Sequence, residues 1–137
     1  MKTHTTNYQN AFIEVADDCP ATSGEMPPLK GDKKTIGNIQ FDLLYEHPYE
    51  HTSDDVIFST HAIRNGLKKS ELKTAREEFF CKGQPCMRTS PLTKRYGWGV
   101  HSDDKGKVAI YPVDSAEYKK LANDKTLQHT KAMKTSR

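Results

Sequence analysis

Residues 90–111 read SPLTKRYGWGVHSDDKGKVAIY, two alternating segments joined by the five residues SDDKG at 102–106. A five-residue connection that ends in glycine is the sequence of a β-hairpin closed by a left-handed residue, here Gly106. Strand side chains alternate, so Trp98 and Val100 share a face with Val108 and Ile110, and that face is core. The opposite face carries Gly97, Gly99 and His101 on one strand and Lys107, Ala109 and Tyr111 on the other. Glycines at alternate positions leave bare backbone, and something must come close to it. Two readings stand: a helix, ring or strand packed on the bare surface, or a pocket floored by glycine.

Outward from the hairpin, AFIEVA (11–16) alternates as a strand. DDCPATSGEMPPLKGD (17–32) is a loop long enough to suggest more than a connector. Ile36, Ile39, Leu43 and Leu44 make the stripe of a helix from Lys33 to His47, with Asp32 as cap and Pro48 as stop. DVIFSTHAIR (55–64), rich in β-branched and aromatic residues, predicts a central strand that ends at Asn65-Gly66. Ser70 opens a second helix along Leu72, Ala75, Phe79 and Phe80, which Gly83 closes. Asp114 and Glu117 form a capping-box pattern for a third helix. From Lys125 the chain has no acidic residue and little apolar content, which predicts a single domain over 1–124 and a mobile basic tail over 125–137. The order strand, helix, strand, helix, strand, strand, helix predicts an α+β domain: a mainly antiparallel sheet of about four strands with helices packed on one face.

The chain has 137 residues, 34% of them hydrophobic, which suits one domain with a modest core. No apolar run of about 18 residues is present to span a bilayer, and MKTHTTNYQN lacks the apolar stretch of a secretory signal. A cytoplasmic protein is expected, without membrane contact. Three cysteines, Cys19, Cys81 and Cys86, then read as free thiols. The net charge of +3 is unevenly spread: residues 1–63 carry four Lys/Arg against ten Asp/Glu, and residues 64–137 carry seventeen against eight. The halves neutralise one another on folding, or they leave a basic face for an anionic partner.

The candidate binding residues are Arg88, Arg95, Tyr96, Gly97, Gly99, His101 and Tyr111, and the expected ligand is a small anionic or polar molecule or a partner protein. Arg95 is the main anchor, because its planar fork can hold a carboxylate or phosphate through two bonds. Lys33 and Lys34 fall in the first turn of a helix, where the macrodipole disfavours cations and a bound anion would repair the mismatch. LKGDKKTIGN is not a P-loop. A small enzyme using His101 with Cys86 or Arg95 is the alternative, and a weak nucleic-acid binder is a third reading. His4, His47, His51, His61, His101 and His129 are scattered, and the single loose pair Cys81 and Cys86 lacks a second pair, so no metal site and no cofactor are expected. Asp17-Asp18, Asp54-Asp55 and Asp103-Asp104 are rejected as acid/base pairs, since neighbours on a strand face opposite ways and turns favour Asp for local reasons.

KGQPC (82–86) and SPLTKRYGWG (90–99), together with KTHTTNY, FIEVADDCP, PPLKGDKKT and TSDDVIF, resemble a family of small prokaryotic proteins known only as a domain of unknown function. The likeness runs from the amino terminus to about Leu121. It implies a single cytoplasmic bacterial domain and supplies no reaction, cofactor or catalytic residue. The chain departs from the family pattern at Cys81, where serine is expected, and at Met87, where an aromatic is expected, which weakens any reading of Cys81 as a ligand.

Overall fold

The structure, a computed structural model, describes residues 3–134. The hairpin forms as read: β3 (Trp98–Ser102) pairs antiparallel with β4 (Lys107–Pro112), with Val100 opposite Ile110 and Gly106 at φ +80°. β1 (Ala11–Glu14) adds antiparallel to β3, and the two-residue β2 (His51–Thr52) adds antiparallel to β4. β5 (Gln128–Lys131) lies parallel to β1, giving one sheet of five strands in the order β2-β4-β3-β1-β5. The fold is α+β with a mainly antiparallel sheet.

Three helices cover one face. These are α1 (Ile36–Leu44), α2 (Ser53–Arg64) and the short α4 (Pro91–Lys94); α3 (Leu72–Phe79) packs outside α2. Phe41, Leu44, Val56 and Leu92 meet Ile13, Trp98, Val100, Val108 and Ile110 in the main core. α5 (Ala116–Ala122) lies on the opposite face, where Tyr118 packs edge-on against Phe12 with ring centroids 5.0 Å apart.

The segment 55–64, expected as a strand, is the body of α2, and the reason lies at its start. The Thr52 hydroxyl accepts from the Asp55 backbone N–H at 3.1 Å, and the Asp55 carboxylate accepts from the Thr52 N–H at 3.0 Å. That reciprocal cap, with Asp54 and Asp55 at the positive end of the helix dipole, commits the chain to helix. The strand-like alternation has a separate cause: Val56 enters the main core while Phe58 and Ala62 join a second cluster with Phe80, so a helix buried on two sides hides alternate residues. Asp54 also receives the Thr5 and Thr6 hydroxyls at 2.6 and 2.7 Å and the Thr6 N–H at 2.6 Å, so the segment KTHTTNY clamps TSDDVIF.

Two expected caps shift by a residue or more. Thr35 rather than Asp32 caps α1, and Ser115 rather than Asp114 caps α5. Ser70 sits inside a 3₁₀ turn, Lys69–Glu71, and does not cap α3. The expected mobile tail is corrected over Gln128–Lys131, which is strand. An edge strand is held by backbone hydrogen bonds and needs no apolar pattern, so polar composition conceals it. The Arg88 Nε donates to the Lys131 carbonyl at 2.7 Å, Lys131 pairs with Asp17 at 2.8 Å, and Ala132 is buried. The last three residues of the expected tail, 135–137, lie outside the described residues.

Asp55 carries both the α2 cap and an ion pair with Arg76 at 2.9 Å. Burial opposes its charge, but the Thr52 N–H and the Arg76 guanidinium outweigh burial and hold its carboxyl below the ordinary 3.8. The stabilisation is therefore complete above about 3.8 and is lost as pH falls through the lower folded value. Asp55→Ala is expected to cost about 1–2 kcal/mol at neutral pH, measured by urea unfolding, with the difference from wild type shrinking in acid.

Candidate functional site

The turn before α1 and the turn after α4 meet over the N-terminal end of α1. Lys30 and Lys33 exchange backbone hydrogen bonds at 3.2 Å across Gly31-Asp32, with Gly31 at φ +65°. Thr35 caps α1 through the Asn38 N–H, and the Asn38 amide donates to the Pro27 carbonyl at 2.6 Å, tying the preceding loop to the helix. Opposite, Ser90 caps α4, and Pro91 takes its first position, where a missing N–H costs nothing. A Cβ on Gly37 would stand 3.4 Å from Pro91 and from Tyr96, so a glycine lets the two elements close up.

Between them lies a cleft of about 720 Å³ whose lining includes Lys30, Lys33, Lys34, Arg64, Lys94 and Arg95 and no carboxylate. Lys34 is neutralised by Asp42 at 2.7 Å. The other five cations have no ion-pair partner among the described residues. The first turn of α1 contains no acidic residue either. Fixed positive charge with an open face can hold an anion.

The seven expected binding residues separate. Arg95 and Tyr96 line the cleft. Gly97 and Gly99 do not floor a pocket, because their bare surface is filled. A Cβ on Gly97 would stand 2.3 Å from the Ser23 carbonyl oxygen, and one on Gly99 would stand 2.6 Å from ring atoms of both Phe12 and Tyr118. Arg88 is engaged in holding β5. His101 and Tyr111 join Tyr49, whose hydroxyl lies 2.7 Å from the His101 Nδ1 and 2.8 Å from the Tyr111 hydroxyl. Tyr49 sits at φ +60°, a left-handed conformation that this pair of bonds helps to hold.

The proposed pairing of His101 with Cys86 or Arg95 is not formed: no hydrogen bond joins them among the described residues, and Cys86 Sγ instead lies 3.5 Å from the Tyr8 hydroxyl. Cys19 and Cys86 are free thiols. Among the described residues no three His, Cys, Asp or Glu side chains gather as a metal site, and no helix is long and apolar enough to cross a membrane.

Lys33 and Arg95 carried a signal in the sequence, the first as a cation at a helix start and the second as an exposed fork beside aromatic residues. Arg64 and Lys30 carried none, since their proximity comes from the packing of α1 on α2. Gln40 was missed, although it stands four residues from both Ile36 and Leu44, on the apolar stripe, where a polar side chain calls for a partner.

Fold and site together define a single α+β domain with a basic cleft set against one helix-covered face of its sheet. The sequence matches the profile described as Family of unknown function (DUF6157) over residues 3–137, and the chain belongs to that family. Comparison with curated proteins and with solved structures finds no match. Two segments that carried the resemblance, PPLKGDKKT and SPLTKRYGWG, supply five of the six cleft cations.

Two outcomes check this geometry. Gly99→Ala is expected to lower stability by about 1–3 kcal/mol in chemical denaturation, as overpacking against two rings requires. Burial holds the His101 imidazole below its ordinary 6.5, against the pull of Asp103 and Asp124. The unfolded chain therefore takes the proton first, and stability from this residue is full above about 6.5 and falls on acidification. A His101→Gln variant is expected to show a shallower decline in stability between about pH 7 and pH 5.

Proposed function

We propose that this domain binds a small anionic ligand in the cleft between the 30–33 turn, α1 and α4. The observation that carries the reading is five cations, Lys30, Lys33, Arg64, Lys94 and Arg95, without an ion-pair partner among the described residues, around one cavity without a carboxylate in its lining. Like charges brought together repel, and an anion relieves that repulsion while it gains hydrogen bonds from the Arg95 fork. The N-terminal end of α1, with Lys33 beside it and no acidic residue in its first turn, adds backbone N–H groups of the same sign. Cys19 and Cys86 as free thiols suit a reducing compartment, so the proposed setting is the bacterial cytoplasm.

Titration calorimetry with inorganic pyrophosphate as the probe tests the reading. Wild-type protein is expected to bind, with affinity falling as salt rises, and Arg95→Ala is expected to weaken binding roughly 10- to 100-fold, the size of one charge-assisted hydrogen-bond set. Lys33→Ala is expected to weaken it less, because lysine offers a point charge rather than a fork. Heat changes no larger than those of buffer, or an Arg95→Ala variant that binds as wild type does, would overturn the assignment.

A further inference from the structure

Beside the basic cleft lies a second chamber of about 280 Å³, and the two share Ile36, Arg64, Thr89 and Pro91 in their linings. Its chemistry differs from the cleft's. Arg64 on the shared side is the one lysine or arginine in its lining, no carboxylate is present there, and its flat surfaces are the rings of His61 and Phe79, whose centroids lie 4.7 Å apart.

Its polar groups are spoken for in a definite way. Gln40 is only 6% exposed, and one end of its amide is held by the Ser90 hydroxyl at 2.5 Å. The other end has no protein partner among the described residues, yet no buried side-chain atom there is left fully enclosed and unpaired, so that end opens onto the chamber it lines. Whichever way the amide is turned, one end remains for a ligand. The Gln84 amide nitrogen donates to the Phe79 carbonyl at 2.7 Å, and the Asn65 nitrogen to the His61 carbonyl at 2.8 Å. Each leaves its own carbonyl oxygen as an acceptor. The hydroxyls of Thr60 and Thr89 donate to backbone carbonyls and offer no further donor.

We infer that the ligand of the cleft is bipartite: a phosphate group held by the cations, joined to an uncharged planar heterocycle that enters the chamber, which is the chemistry of a nucleotide. The inference rests on the anion-binding reading above and adds the head group. A buried amide, two acceptor carbonyls and aromatic walls suit a flat ring that both donates and accepts hydrogen bonds. A chamber meant only for more anion would be lined by further cations.

Calorimetry with four probes tests it: inorganic phosphate, the ribonucleoside 5′-monophosphates, the matching nucleosides, and a short single-stranded oligonucleotide. At least one monophosphate is expected to bind roughly 10- to 100-fold more tightly than phosphate, the size of one base-stacking contact. Gln84→Trp, in the loop after α3, narrows the chamber without touching the Ser90–Gln40 contact and is expected to remove that gain and leave phosphate affinity unchanged. Gln40→Leu is expected to remove the gain as well, with some loss of phosphate affinity because it also unties α1 from α4. An oligonucleotide that binds more tightly than any monophosphate, with the same loss in these variants, would assign the nucleotide to a strand rather than a free molecule. Monophosphates no tighter than phosphate would overturn the head-group inference and leave anion binding intact. No binding of phosphate or monophosphate, or monophosphate binding indifferent to Arg95→Ala, would overturn both.

Discussion

The buried contact between Ser90 and Gln40 is the point on which the rest of the helical face depends. Ser90 accepts from the Leu92 N–H as the cap of α4, and donates to Gln40 in the middle of α1. One hydroxyl therefore starts a helix and fixes that helix against its neighbour. The bond is desolvated, so removing either partner leaves the other unpaired in the interior, which costs more than the bond itself contributes. With α1 and α4 joined there, Gly37 allows the backbones to approach, Tyr96 closes over the junction, and the cleft and chamber take their shapes on either side of it.

The opposite face of the sheet solves a different problem with the same residue type. A sheet covered by helices on one side must hide its other side or leave it polar. Here α5 is short, seven residues, and too small to cover five strands. Gly99 lets the Tyr118 ring sit directly on the backbone of β3 while its hydroxyl accepts from the Val15 N–H at 3.0 Å. One ring thus fills the bare surface and bonds the end of β1. Gly97 has a separate reason: at φ +80° it passes under the Ser23 carbonyl, where the long loop from β1 crosses the start of β3 and where Trp98 Nε1 donates to the Glu25 carbonyl at 2.8 Å. Two glycines two residues apart, which read in the sequence as one floor, answer two unrelated packing demands.

What the sequence showed and what it hid follow from how far each signal reaches. The hairpin was legible because alternation, loop length and the final glycine are all local, and they agree. α1 was legible by its stripe, although it runs from Ile36 to Leu44 rather than from Lys33 to His47, so Lys33 and Lys34 precede the helix and do not form its first turn. α2 was misread because its burial on two sides imitates the two-residue period of a strand, while Thr52, which completes the capping box with Asp55, lay just outside the segment being read. β5 was hidden because its place depends on β1, more than a hundred residues away, and on backbone bonds that any side chain permits. The site was half legible: Arg95, Tyr96 and Lys33 were singled out separately, but the packing of α1 against α2 and α4, which joins them with Arg64, has no local signature.

The charge of the cleft is not a by-product of composition. Its cations come from both halves of the chain, Lys30 and Lys33 from the acidic half and Arg64, Lys94 and Arg95 from the basic one, so folding gathers like charges that the sequence had kept apart. Carboxylates were within reach of the same device elsewhere in the molecule. α2 begins with Asp54 and Asp55 and surrounds them with hydroxyl and amide donors, and Asp42 on α1 already neutralises Lys34. Using one more carboxylate in the first turn of α1 would have stabilised the helix and quenched Lys33 together. The fold forgoes that stabilisation at a helix start that lines the basic cleft, which is the pattern expected when the missing negative charge belongs to a ligand rather than to the protein.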